Sequence, residues 1–212
     1  MKVYRIPSDL RCVIFDIDST LYTHPEYAHE QVDAQIRHFA TLRGLEADEA
    51  RALIAEVRER HERETGGKIS LGNAMTRFGI PIEESVRWRE TLVEPERYLG
   101  RDERLRETLT RLARRFALRS VTNNPVKTAR KTLRALGVDD LFPHLVGLDT
   151  TGFSKPHEKP FLIAAESARA APSQCLSIGD RYDIDLALPL ELGMGGILVD
   201  GVEDVYRLQA ML

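Results

Sequence analysis

The sequence predicts an α/β protein, a doubly wound parallel sheet with a block of helices inserted near its start. Three observations predict it. Five short apolar runs (Cys12–Phe15, Ala117–Val121, Leu145–Leu148, Cys175–Ile178 and Gly196–Val199) alternate with stretches of helical spacing, a pattern that builds parallel sheets covered by helices. Several of those runs end abruptly in polar residues, as at Phe15-Asp16, Val121-Thr122 and Ile178-Gly179-Asp180. Residues 22 to about 98 carry helical periodicity and no strand signal, so they stand as an insertion between the first strand and the rest.

The first run is apolar throughout, which suits a strand buried on both faces. An unpaired buried carboxylate is costly, so Asp16 and Asp18 are expected at its carboxyl end, where open α/β sheets place ligands. Alternate residues share one side of a strand, so both can reach one metal or one phosphate. From Glu26 to about Arg43, Val32, Ile36 and Phe39 mark one helix face. Asp48–Glu64 is a second helix with Leu53, Ile54 and Val57 inward, stopped at Gly66-Gly67. Ser70 is the expected N-cap of a short helix through Phe78, closed by Gly79 and Pro81, and a fourth helix spans Ile82–Val93. The α/β core is therefore expected in residues 1–21 and 99–212, and the helical domain in 22–98.

Beyond the insertion a helix over Asp102–Arg115 leads to the strand Ala117–Val121, then a helix from Pro125 to Gly137 leads to the strand at Leu145. A helix over Lys159–Ala171 precedes the strand at Cys175, a helix from about Asp183 to Leu192 precedes the strand at Gly196, and a short helix ends the chain.

Composition sets limits. The net charge of −3 offers no electrostatic argument for a nucleic acid polymer or an anionic membrane. Arginines mix with glutamates along helical stretches such as Arg101–Arg115, the pattern of solvated, salt-bridged faces. Two cysteines, Cys12 and Cys175, each lead an apolar strand and are expected as buried free thiols. With no apolar leader at the start and no run of membrane-spanning length, the expectation is a soluble cytoplasmic protein.

Four strand ends carry residues that need a chemical reason. The first is Asp16-Ile17-Asp18-Ser19-Thr20. In the second, Ser120-Val121-Thr122-Asn123-Asn124-Pro125, a strand opens into a helix whose free N–H groups make an anion site facing Thr122 and Asn123. The third is Ser154-Lys155-Pro156, and the fourth runs from Ile178 through Gly179, Asp180 and Asp183 to Asp185. Together they supply a nucleophilic carboxylate, an acid/base carboxylate, an anion cradle, a cation and hard-oxygen ligands, the parts of a Mg²⁺-dependent phosphoryl-transfer site.

In type, order and spacing these four motifs resemble those of the haloacid dehalogenase (HAD) superfamily, and the helical block matches that superfamily's first cap position. The resemblance implies a Rossmann-like core with an inserted helical cap. It implies Asp16 as the nucleophile, forming an aspartyl-phosphate, and Asp18 as general acid and then base, which must carry a proton for part of the cycle. Mg²⁺ would be held by Asp16, the Asp18 main-chain carbonyl and Asp180, with Asp185 as ligand or close neighbour. Thr122, with Asn123, would hold the transferring phosphoryl group, and Lys155 would neutralise charge between nucleophile and phosphate. The partner it implies is a small phosphorylated metabolite. Asp18 argues for phosphate esters over halogenated acids and phosphonates, and Ser19-Thr20 stands where sugar phosphomutases show glycine. Hydrolysis is the expected reaction; a mutase and a non-catalytic binder are the alternatives. Ile17-Asp18-Ser19-Thr20-Leu21-Tyr22, with the loop Arg63–Gly72 containing Lys68, is most similar to the pyrimidine 5′-nucleotidase branch, which implies a nucleotide monophosphate.

Each residue also has a plain structural reading. Thr122 is a common N-cap type, and Asp183 also suits a cap. Lys155 has a rival in Lys159, set aside because it opens a helix. His24, His29, His38 and His61 do not place three ligands on one helix face, and Trp88 is expected in the core. Arg181 suits a phosphate contact and a pairing with a neighbouring carboxylate equally.

Overall fold

The computed structural model describes residues 1–66 and 69–212; Gly67 and Lys68, central to the expected substrate loop, lie outside the described residues. In chain order the elements are β1 (Lys2–Arg5), β2 (Cys12–Phe15), α1 (Pro25–Arg43), α2 (Ala47–Thr65), α3 (Leu71–Thr76) and α4 (Ile82–Leu92). Then follow α5 (Glu103–Ala113), β3 (Ala117–Val121), α6 (Val126–Ala135), β4 (His144–Val146), α7 (Leu148–Thr151) and α8 (Glu158–Ser167). The last are β5 (Cys175–Gly179), a π-helical turn (Tyr182–Leu186), α9 (Ala187–Glu191), β6 (Gly195–Leu198) and α10 (Val202–Val205).

Six strands form one sheet in the order β1-β6-β5-β2-β3-β4. β2 lies between β3 and β5 and is parallel to both, with Phe15 level with Ser120 on one side and Ile178 on the other. The carboxyl ends of these three strands therefore stand together. All four residues of β2 are buried. On one face, Cys12, Ile14, Val121 and Val146 pack with Phe161, Ala164 and Ala165 of α8. Successive side chains of a strand alternate between faces, and Phe15 meets Phe142 edge-on at 6.0 Å. Cys12 and Cys175 are register neighbours, both buried and both free thiols.

β1 is a strand outside the expected set. It pairs antiparallel with β6 at the sheet edge, and each of its four residues is exposed. Its lysine and arginine suit an edge that must resist further pairing, and the lack of a buried apolar run is why its sequence gives no strand signal. Two other boundaries move. Leu148 opens α7 instead of ending a strand, and the helix expected from Asp183 begins as the π-helical turn before becoming α9.

Residues Met1–His24 with Pro95–Leu212 make one compact unit and Pro25–Glu94 another. The helical unit has its own core of Ile36, Phe39, Ala40, Ala50, Ile54, Leu71, Ala74, Met75 and Trp88. Trp88 is buried there as expected, its indole N–H donating to Glu84 Oε1 at 2.7 Å. Gly66 ends α2 in the left-handed conformation (φ 72°), and the Ser70 hydroxyl caps α3 by accepting the Asn73 N–H at 3.2 Å. The expected inward faces need correcting: Val32 is 40% exposed and Leu53 36%. The buried stripe of α1 is partly polar, with Gln31, Asp33 and Gln35 inward, and hydropathy alone cannot reveal such a face. Asp33 is held by Arg37 and Arg51. Their charge-assisted hydrogen bonds outweigh the opposing effect of burial and keep its carboxyl below the usual range.

Candidate active site

Asp16 follows β2 directly, and its N–H donates to Ile178 O at 2.9 Å, so the chain leaves β2 still bonded to β5. The Lys155 ammonium donates to Asp16 Oδ1 and to Asp185 Oδ1, each at 2.6 Å. All three side chains are essentially out of water: Lys155 is 4% exposed, Asp16 6% and Asp185 1%. Lys155 lies between α7 and α8, where the Asn123 side chain fixes its backbone. Asn123 Oδ1 accepts the Lys155 N–H at 2.6 Å, and Asn123 Nδ2 donates to Lys155 O at 3.3 Å. The end of β3 thus grips the loop that delivers the lysine.

Asp180 stands just past β5. Its buried Oδ1 finds no hydrogen-bond partner among the described residues. Asp16, Asp180 and Asp185 each bring one oxygen within 4.8 Å of the others, the set among the described residues able to hold a metal ion. Asp185 is reached through the π-helical turn, where Ser177 Oγ donates to its carbonyl at 2.7 Å and the Arg181 N–H donates to its Oδ2 at 3.1 Å. Gly179 makes room, because a Cβ there would lie 2.4 Å from Asp185 Cβ. Gly179→Ala is accordingly expected to cost about 1–3 kcal/mol through overpacking, measured as a lower urea midpoint at unchanged slope.

The electrostatics are lopsided. Burial pushes the Asp16 carboxyl up, and nearby Asp185 and Asp18 push the same way against the opposing charge of Lys155. Burial likewise raises Asp180, with the charge of Asp185 adding to it. Burial works against the Lys155 ammonium, but Asp16 and Asp185 outweigh it and hold it above the ordinary lysine range. Among the described residues, three carboxylates share one buried ammonium, with the exposed Arg181 lending Asp180 some opposing charge.

Asp18 stands apart from this cluster. Tyr22 Oη donates to its Oδ1 at 2.6 Å and Asn124 Nδ2 to its Oδ2 at 2.8 Å. Ser19 beside it adopts φ 58°, a left-handed turn that costs a serine on the order of 1–3 kcal/mol and is characteristic of functional sites. Thr122 is 3% exposed at the end of β3; its N–H donates to Val146 O at 3.0 Å, and its Oγ1 accepts the Asn124 N–H at 3.1 Å.

The structure thus gathers Asp16, Lys155, Asp180 and Asp185 into one cluster, three of them buried and Asp180 half-buried. Thr122, Asn123 and Asp18 occupy the neighbouring strand ends, with the Asn123 side chain bonded to the Lys155 backbone. Lys159 is exposed, its ammonium 5.4 Å from the Phe153 ring. Asp183 and Arg181 are exposed as well. Among the histidines, His38 packs edge-on against Trp88 at 4.8 Å. Sequence reasoning passed over Tyr22 and Asn124 as partners of Asp18. Asn124 adjoins the Thr122-Asn123 pair, but nothing in the sequence joins it to a residue 106 positions away.

A model of the haloacid dehalogenase-like hydrolase family matches residues 10–190. The phosphoglycolate phosphatase of Escherichia coli (strain K12) is 33% identical over 202 residues, covering 84% of this chain and 77% of that protein. Two solved structures share the fold: the HAD-hydrolase YfnB from Bacillus subtilis bound to magnesium and a HAD phosphatase from Thermococcus onnurineus. The first has a TM-score of 0.62 at 18% identity and covers 96% of this chain and 100% of its own. The second has a TM-score of 0.58 at 19% identity and covers 95% and 97%. With a Rossmann-like α/β core, a family model over most of its length and a relative of this similarity, the chain belongs to the haloacid dehalogenase-like hydrolase family and is a phosphatase.

Proposed function

We propose that the chain cleaves a small phosphate monoester with Mg²⁺ bound, through an aspartyl-phosphate on Asp16. One observation carries this reading: three clustered carboxylates face a single ammonium, with Asp180 Oδ1 buried and unbonded among the described residues. Carboxylates in excess of the buried ammonium, two of the three themselves buried, are costly to keep charged together, and a divalent cation with hard-oxygen preference suits that donor set. Asp16, Asp180 and the Asp18 main-chain carbonyl would hold it, with Asp185 as ligand or close neighbour. Bound there, Mg²⁺ supplies positive charge that offsets the repulsion between a phosphate dianion and an attacking carboxylate.

The chain's own groups do the rest. An Asp16 oxygen attacks phosphorus while Lys155 and the Thr122 hydroxyl hold the transferring oxygens. Asp18 gives a proton to the leaving alcohol. As a carboxylate it then takes one from the water that cleaves the aspartyl-phosphate, returning Asp16 and releasing phosphate.

For the substrate, the phosphoglycolate phosphatase relative favours a short phosphorylated acid. The nucleotide reading rests on the Ile17–Tyr22 pattern and on a loop whose Gly67 and Lys68 lie outside the described residues, so it forms the competing arm of the test. In a panel of phosphoglycolate, other short-chain phosphate esters, sugar phosphates and nucleoside monophosphates, release is expected to need Mg²⁺ and to be fastest on the short-chain esters. A nucleotide faster by about 100-fold, which is about 2.7 kcal/mol of differential transition-state binding, would move the assignment to nucleotides.

A further inference from the structure

We infer that Tyr22 and Asn124 are positioning residues for the proton-transfer step, each holding one oxygen of the Asp18 carboxyl. The inference rests on Asp18 acting as the general acid proposed above. Asp18 follows β2 on a turned loop and lies close enough to Asp16 for its charge to be felt there. A loop carboxylate in that place would be drawn to any cation bound by Asp16, Asp180 and Asp185, and would then be lost as an acid. Two neutral donors oppose this, Tyr22 at Oδ1 (2.6 Å) and Asn124 at Oδ2 (2.8 Å). Unlike Lys155 beside Asp16, they fix direction without neutralising charge. Both anchors are themselves fixed: Tyr22 is 3% exposed, and the Asn124 N–H donates to Thr122 Oγ1 at 3.1 Å. The second bond ties the orientation of the acid to the residue assigned to the phosphoryl group.

The two donors are not equivalent. An amide NH₂ only donates, so Asn124 reserves Oδ2 as an acceptor; a phenol both donates and accepts, so Tyr22 serves Oδ1 in either protonation state. In the transfer the P–O bond to the leaving group breaks, that oxygen takes the Asp18 proton, and the carboxylate left behind accepts from Tyr22 at Oδ1 and from Asn124 at Oδ2.

The test compares kcat/KM on two substrates. An alkyl phosphate needs its leaving oxygen protonated, whereas 4-nitrophenyl phosphate releases a stable anion and does not. Because kcat/KM covers only the steps through phosphoryl transfer to Asp16, the later role of Asp18 as base does not enter. Asp18→Asn is expected to raise the aryl-to-alkyl ratio by about 100-fold, and Tyr22→Phe and Asn124→Leu by about tenfold each, with KM on the alkyl ester little changed. Tyr22→Phe removes one oxygen and keeps the buried ring, so its fold is retained. A ratio that moves in Asp18→Asn but stays at the wild-type value in both other variants overturns the positioning role and leaves the phosphatase mechanism standing. A ratio unmoved in Asp18→Asn overturns both.

Discussion

Asp16→Asn is expected to lower Mg²⁺-dependent phosphate release by on the order of 10⁴-fold or more, the scale seen when a covalent nucleophile is deleted. Asparagine keeps the shape and one carbonyl oxygen, so the Lys155 ammonium retains an acceptor where it now meets Asp16 Oδ1. The amide is a poor nucleophile and forms no acyl phosphate. Relief of the charge imbalance gives the variant a second signature. Asp16 is one of three clustered carboxylates that share a single ammonium among the described residues, and burial already pushes it toward its neutral form. A neutral amide there is expected to leave the cation-free protein at least as stable as wild type, while the stabilisation gained on adding Mg²⁺ shrinks. Rapid-quench labelling provides the direct measurement: the wild type traps phosphate on protein and the variant does not. A variant within tenfold of wild type would remove Asp16 from the nucleophile's role.

How far the sequence alone could reach depends on the range of each interaction. The parallel core was legible because Cys12–Phe15 and Cys175–Gly179 are buried runs, and burial on both faces leaves a continuous apolar signature. β1 was not legible, since its exposed residues are placed by pairing with β6 at the far end of the chain. The polar inward face of α1 was hidden likewise, because Gln35 is satisfied by Gln31 O and by Ser85, which lies 50 residues on. In the site, Asp16 and Asp180 stood out because carboxylates at apolar strand ends need a chemical reason, and Lys155, in a loop between α7 and α8, stood out by the family's lysine-proline pattern. Asp185 was separable from Asp183 by family spacing alone; the π-helical turn explains it physically, since Asp185 is 1% exposed while Asp183 faces solvent. Asn123 was expected to face an anion through its amide; that its side chain also clamps the backbone of Lys155 was not legible in the sequence. Residue type announced the chemistry; hydrogen bonds across more than 30 residues decided which atoms are left to perform it.

Lys155→Met tests the charge balance from the other side. Methionine fills much of the same volume, so the loss is electrostatic: Asp16 and Asp185 each forfeit a 2.6 Å bond to the ammonium. Removing one member of a buried ion cluster costs about 3–5 kcal/mol because the remaining charge stays uncompensated. The pH dependence follows from the raised carboxyls of Asp16 and Asp180. A carboxyl raised in the folded state holds its proton where the unfolded chain has lost it, so its contribution to stability falls as pH climbs from about 4 toward neutrality. The ammonium, raised in its turn, offsets that fall throughout this range and would lose its own effect only above the ordinary lysine range. Without it, the deficit of Lys155→Met relative to wild type is expected to be small near pH 4 and to widen toward neutral pH. Urea unfolding in a chelator at acidic and neutral pH measures this. Saturating Mg²⁺, binding only the folded cluster, is expected to recover much of the neutral-pH loss without restoring activity, which should stay down by on the order of 10²–10³-fold because the charge that steadied the phosphoryl group is gone. A deficit equal at both pH values and indifferent to Mg²⁺ would mean that Lys155 merely fills space between β2 and the π-helical turn. Stability that returns while catalysis does not would separate the two tasks of one ammonium: balancing carboxylates at rest and balancing phosphate in the transition state.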